Sequence, residues 1–162
     1  MTHANTKLLP LVILGFLLIA GGFPLLGFGQ QAHSQTDHPG THIHVTLIDF
    51  TIHPERTTAK AGWVNFQAVN AGTTMHELVI LRTDLHPDNL PRLAATDQTG
   101  AITGYIVNEE HASVKPIDEI EEFAAGTRKE KNVFLDPGRY VLFCNIPEHY
   151  DKGMYASLLI EE

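Results

Sequence analysis

The chain has 162 residues, 43% of them hydrophobic, which suits one globular domain of ordinary size with a short appendage. Its 11 basic side chains against 19 acidic ones give a formal charge of −8, and no Lys/Arg block is present to neutralise a phosphate backbone, so nucleic-acid binding is disfavoured. A single cysteine, Cys144, excludes an intrachain disulfide framework and any zinc site built from several thiolates.

Residues 8–29 are free of charge, which is long enough to cross a bilayer core as a helix, although Pro10, Pro24 and five glycines weaken it. Lys7 precedes the segment and the first charges after it are acidic, so the positive-inside bias leaves the N-terminus in the cytoplasm and the rest outside. Two readings stand: an uncleaved membrane anchor, or a signal peptide removed after Ala32-His33-Ser34, before Gln35. Both place the rest of the chain outside the cytoplasm, in a periplasm or on the outer face of the cytoplasmic membrane. Residues 30–41 are polar, contain a Pro-Gly pair and read as a linker. The predicted organisation is therefore 1–29 as anchor or signal, 30–41 as linker and 42–162 as one domain.

From His42 the pattern turns to period two. Residues 42–52 read as one strand with a buried face, 62–70 as a second, and 76–82 as a third with Val79, Ile80 and Leu81 as a β-rich run. Residues 83–101, with Pro87, Pro91 and three aspartates, read as loop, and 104–107 as a brief strand. The 117–123 segment is ambiguous, because Ile117, Ile120 and Phe123 recur every third residue and suit a helical turn nearly as well as an edge strand. Strands over 128–135 and 139–144 follow, the second with Tyr140, Leu142 and Cys144 on one face and Val141 and Phe143 on the other, and a last strand covers 155–160. Six to eight short strands with almost no helix predict an all-β, antiparallel Greek-key sandwich preceded by one hydrophobic helix. The Asp136-Pro-Gly-x-Tyr140 run predicts a corner in which the tyrosine hydroxyl ties the connection to nearby backbone.

The segment between the last two strands carries the chemistry. Cys144, His149 and Met154 supply a thiolate, an imidazole and a thioether, and this soft set selects copper over zinc, iron or hard cations. A trigonal copper site needs a second imidazole, and His76, which opens a strand after a glycine-containing turn, is the best placed. His86 and His111 lie in polar segments, and His53 precedes Pro54 at a strand end.

Cys-x4-His-x4-Met at the end of a C-terminal strand, with an upstream Asn-x-Gly…His, resembles the cupredoxins, the small blue (type 1) copper proteins. The spacing is similar to that of their rusticyanin, auracyanin and sulfocyanin-like exported members, and the resemblance covers roughly residues 42–162. It implies one copper ion with His76, Cys144 and His149 as equatorial ligands and Met154 as a weak axial one. It also implies a monomeric one-electron carrier, not an enzyme, whose partners are redox proteins such as a cytochrome or a membrane electron-transfer complex. The outer edge of His149 would then face an apolar patch beside Ile146, Pro147 and Tyr150. One residue departs from the family pattern: Glu77 follows His76 where an Asn or Ser is common, which leaves the redox potential open. The alternative is copper binding and delivery, motivated by the histidines at 33, 38, 42, 44 and 53. His42 and His44 share a strand face and are the candidates for a second ion.

Overall fold

The computed structural model describes residues 40–162. The apolar segment 8–29 and the linker up to residue 39 lie outside the described residues.

The described chain forms eleven strands, more than the six to eight expected: β1 (Thr41–Ile48), β2 (Thr51–Pro54), β3 (Thr58–Lys60), β4 (Gly62–Asn70), β5 (His76–Arg82), β6 (Arg92–Thr96), β7 (Ile102–Val107), β8 (Lys115–Phe123), β9 (Arg128–Leu135), β10 (Gly138–Phe143) and β11 (Tyr155–Glu161). They make a four-stranded sheet ordered β2-β1-β4-β9, a five-stranded sheet ordered β3-β11-β10-β5-β8 and a separate β6-β7 hairpin. The sandwich is all-β as expected, but its sheets are mixed rather than purely antiparallel. The chain leaves the β1–β2 hairpin for the opposite sheet as β3, and on returning as β4 it runs parallel to β1, just as β3 runs parallel to β11. No helix among the described residues is long and apolar enough to cross a membrane.

Alternation decides which side chains meet. Ile43, Val45 and Leu47 of β1, Val64, Phe66 and Ala68 of β4, and Val133 and Leu135 of β9 point inward from one sheet. They share a core with Leu78, Ile80, Tyr140, Leu142, Leu158 and Ile160 of the other. The opposite face of β5 and β10 is buried as well: Val79, Leu81, Val141 and Phe143 form a second cluster with Leu90, Val107 and Tyr150. This explains the unbroken apolar runs at 78–81 and 140–143, which are covered on both sides. The cover is the 83–114 excursion, so the segment read as loop contains β6 and packs onto the sheet.

Two further departures have local causes. The strand expected over 42–52 is broken at Asp49-Phe50, where Phe50 takes a left-handed φ of 65° and the chain turns back as β2. The ambiguous 117–123 segment is the edge strand β8. Its register slips by one residue between Ile120, opposite Leu78, and Phe123, opposite His76. It slips again between Asp118, opposite Ile80, and Pro116, opposite Leu81, and together these bulges turn a period of two into three, the pattern that imitates a helix.

The tyrosine corner forms as expected, with the Tyr140 hydroxyl donating to the Asp136 carbonyl at 2.8 Å. Tyr140→Phe removes that one bond and keeps the buried ring. It should lower stability by about 1 kcal/mol, read as a lower urea midpoint at unchanged m value.

Candidate metal centre

β10 delivers the cysteine. Tyr140, Leu142 and Cys144 alternate onto the inner face, so the thiol arrives fully buried at the end of the core. The β10–β11 register extends one step past the strands, because the Cys144 backbone N–H donates to the Met154 carbonyl at 3.1 Å. Cys144 and Met154 are thus directly opposite one another, and both are inaccessible to solvent. Side chains so paired have Cβ atoms about 4.5–5.5 Å apart.

The intervening loop is held tightly. Glu148 adopts a left-handed φ of 69°, its N–H bonded to the Tyr105 carbonyl at 2.9 Å. His149 then leads into a single 3-10 turn, Tyr150–Lys152, which Gly153 closes at φ 102°. The His149 carbonyl accepts the Met154 N–H at 3.2 Å, so two of the residues singled out in the sequence share a backbone bond. His76 enters from β5, whose first residue it is, with no exposed surface.

The donor atoms converge. His149 Nδ1 lies 3.3 Å from His76 Nδ1 and 3.3 Å from Cys144 Sγ. Among the described residues, this is the one group of three or more His, Cys, Asp or Glu whose ligand atoms all fall within 4.8 Å of each other. A first-row ion bonded at about 2.0–2.3 Å to each of three donors in one plane spaces them by roughly 3.5–4 Å, close to what is present. Two imidazoles and a thiol, with a thioether-bearing residue opposite the thiol, fit copper by donor chemistry. The other described histidines lie elsewhere, while His33 and His38 lie outside the described residues. His86 pairs with Asp88, His111 bonds Ser113 at 2.8 Å, and His53 is exposed on β2. His42 and His44 do share the outer face of β1: His42 lies 3.2 Å from the Asn65 amide oxygen, and His44 lies 4.0 Å from Glu55.

Burial sets the protonation of the metal-free centre. It pushes the Cys144 thiol up to about 12, with the nearby Glu77 and Glu122 charges adding to it. His149 is held below the usual histidine range by burial and by neighbouring His76 and Lys152. Metal uptake therefore finds a neutral ring and must displace the thiol proton.

Three residues around the centre were not assigned these roles from the sequence. Glu77, the residue departing from the family pattern, points to the ligand loop: its carboxylate accepts the Asn145 backbone N–H at 2.6 Å, directly after the cysteine. Burial raises it to about 7, against the lowering effect of that bond. Asn145 ties the loop to β7, its side chain accepting the Val107 N–H at 2.6 Å and donating to the Val107 carbonyl at 3.2 Å and to Glu109 at 2.7 Å. Asp49 reaches His76 from the β1–β2 turn, its Oδ1 lying 3.0 Å from Nε2. Thr73 hydrogen bonds hold its carboxyl well below the usual carboxylate range. A further difference concerns Tyr150, expected beside the outer edge of His149. Its ring is buried in the second cluster, and its hydroxyl donates to the Pro87 carbonyl at 2.7 Å. Phe50 instead packs edge-on against His149, with ring centres 5.2 Å apart.

No family model matches the chain. One curated relative, the copper-resistant cuproprotein CopI of Pseudomonas aeruginosa, is 25% identical over 176 residues, spanning 96% of this chain and 97% of its own. Among solved structures, dithionite-reduced auracyanin from Roseiflexus castenholzii superposes with a TM-score of 0.53 at 18% identity, covering 76% of this chain and 98% of that one. Auracyanin A of Chloroflexus aurantiacus, described as a "blue" copper protein, gives 0.50 at 13% identity over 75% and 99%. Structural likeness at such identities establishes the fold.

Proposed function

Starting from the cupredoxin fold that this chain shares with the auracyanins, we propose that it is an exported type 1 copper protein that carries single electrons between redox partners. The observation that carries this is the convergence of His76, Cys144 and His149 within one buried cluster at the end of the sandwich. In this reading those three would hold the copper ion, with Met154 as a fourth, weaker donor. Bound copper supplies the Cu(II)/Cu(I) couple.

The protein's own residues do the rest. The β10–β11 pairing and the Gly153-capped turn fix Cys144, His149 and Met154 relative to one another, so little has to move between oxidation states. The inner core keeps water from the sulfur, and the edge-on Phe50 narrows access to His149. We place the electron entry and exit at the partly accessible side of His149. There a redox protein would make a small transient contact. Four protein donors leave no open position for a substrate, which favours a carrier over an enzyme. The charge-free segment 8–29 supports export.

The test is cyclic voltammetry of the chain loaded with one equivalent of copper. A reversible one-electron wave with an intense visible thiolate-to-copper band is expected. An irreversible wave, or a colourless complex, would refute the carrier.

The likeness to CopI favours a second reading, copper binding and delivery as part of resistance. It predicts more than one bound equivalent, the second lost when His42 and His44 are both replaced by Asn. Unchanged stoichiometry in that variant removes this reading's main motive.

A further inference from the structure

Resting on the copper reading above, we infer that Asp49 is a positioning residue for the metal: its carboxylate fixes which nitrogen of His76 faces the ion and biases the centre toward Cu(II). The two ring nitrogens of His76 have different surroundings. Nε2 lies 3.0 Å from Asp49 Oδ1, whereas Nδ1 lies 3.3 Å from His149 Nδ1 within the donor cluster. A neutral imidazole carries one ring hydrogen. Beside a carboxylate acceptor that hydrogen sits on Nε2, so the Nδ1 lone pair is free for a metal.

The carboxylate is itself held in place. Oδ1 accepts the Thr73 backbone N–H at 2.9 Å, and Oδ2 accepts the Thr73 hydroxyl at 2.5 Å. The Thr74 N–H and hydroxyl both approach Oδ1 at 3.4 Å. Space for the pair exists only because residue 72 is glycine. A Cβ there would lie 2.3 Å from Asp49 Oδ1 and 2.8 Å from His76 Nε2. The loop that supports the carboxylate therefore runs straight into β5 and delivers the ring it orients.

The electrostatic consequence follows from position. On reduction the centre gains one electron and loses one unit of positive charge. A fixed negative charge one imidazole away therefore favours the oxidised form more than the reduced one. His76 is fully buried and Asp49 half-buried, so solvent screens this interaction only in part.

Asp49→Asn in the full chain separates charge from shape. The amide keeps an acceptor oxygen for the Nε2 hydrogen, and the Thr73 hydroxyl is free to turn and accept from the new NH2. Copper and its thiolate band should be retained, with Cu(II) affinity falling about ten- to hundred-fold and Cu(I) affinity falling less. The midpoint potential must then move to more positive values. Asp84→Asn, which removes an exposed charge away from the centre, should move neither quantity. In the Cu(I) wild-type protein, nitrogen NMR should find the His76 ring hydrogen on Nε2 and slow to exchange with water. An Asp49→Asn protein with the wild-type potential overturns the inference, and so does a ring hydrogen found on Nδ1. If Asp49→Asn does not fold, the NMR result decides alone. A wild-type chain without a thiolate band overturns the copper reading and this inference together. A wild-type band with an unmoved potential overturns only the role of Asp49.

Discussion

Cys144→Ser is expected to abolish the intense visible absorption of the copper-loaded protein while leaving the sandwich folded. The substitution changes one atom at a fully buried position. The new hydroxyl inherits a partner, since His149 Nδ1 lies 3.3 Å from the sulfur it replaces. The cost to the metal-free fold should therefore stay within about 1–2 kcal/mol. The chemistry changes completely. Copper must displace a proton from a thiol that burial has already pushed up to about 12. An aliphatic hydroxyl in the same apolar surroundings is far less acidic and offers a hard oxygen in place of a soft sulfur. Absorption spectra during Cu(II) titration and the thermal melt of the metal-free variant check the two halves. A surviving strong band would mean that the sulfur is not a ligand.

Asn145→Ala should produce the largest loss of stability among the changes considered, about 2–3 kcal/mol, from the removal of three side-chain hydrogen bonds at once. Those bonds run to both backbone groups of Val107 and to the Glu109 carboxylate, and they fasten the β6–β7 hairpin to the residue following the cysteine. The variant leaves the Val107 N–H and the half-buried Glu109 without that partner. In a domain of this size the melting temperature of the metal-free chain should fall on the order of 10 °C. Copper should also dissociate faster, because β7 backs the loop that carries His149. A melt within 2 °C of wild type would show that the hairpin is held by its other contacts, the Glu148 N–H to Tyr105 carbonyl bond and the apolar packing of Val107.

The parts of the cluster that are contiguous in sequence were readable there: Cys144 and His149 lie within one loop, and the structure brings them together. Met154 was singled out at the same spacing and lies opposite Cys144. His76 was readable because its strand pattern starts at that residue. Asp49 was not, since its partner is 27 residues away and 42–52 reads as one continuous strand although its alternation changes phase at Leu47-Ile48, from odd to even positions. The available signal was composition: an aspartate amid Val, Leu, Ile and Thr is out of place in a strand interior. Of the 83–114 cover the brief strand at 104–107 was legible and forms part of β7, while β6 was not, for a related reason. Its strands are short and its prolines prominent, while the evidence for it lay elsewhere, in β5 and β10 residues too uniformly apolar for a sheet with one wet face.

The edges of the two sheets bear on how this molecule behaves in a crowded compartment. β2 has four residues and ends in Pro54, and β3 has three. β8 is interrupted by bulges and lined with acidic side chains. Lys129 of β9 donates across to the Glu121 and Glu122 carbonyls of β8, each at 3.1 Å, so two backbone acceptors at that margin are already engaged. None of these borders offers a long, flat, uncharged template to a stray polypeptide. Resistance to fibril growth is thus built into the perimeter, and concentrated samples should stay free of amyloid-type deposits even after the metal is stripped.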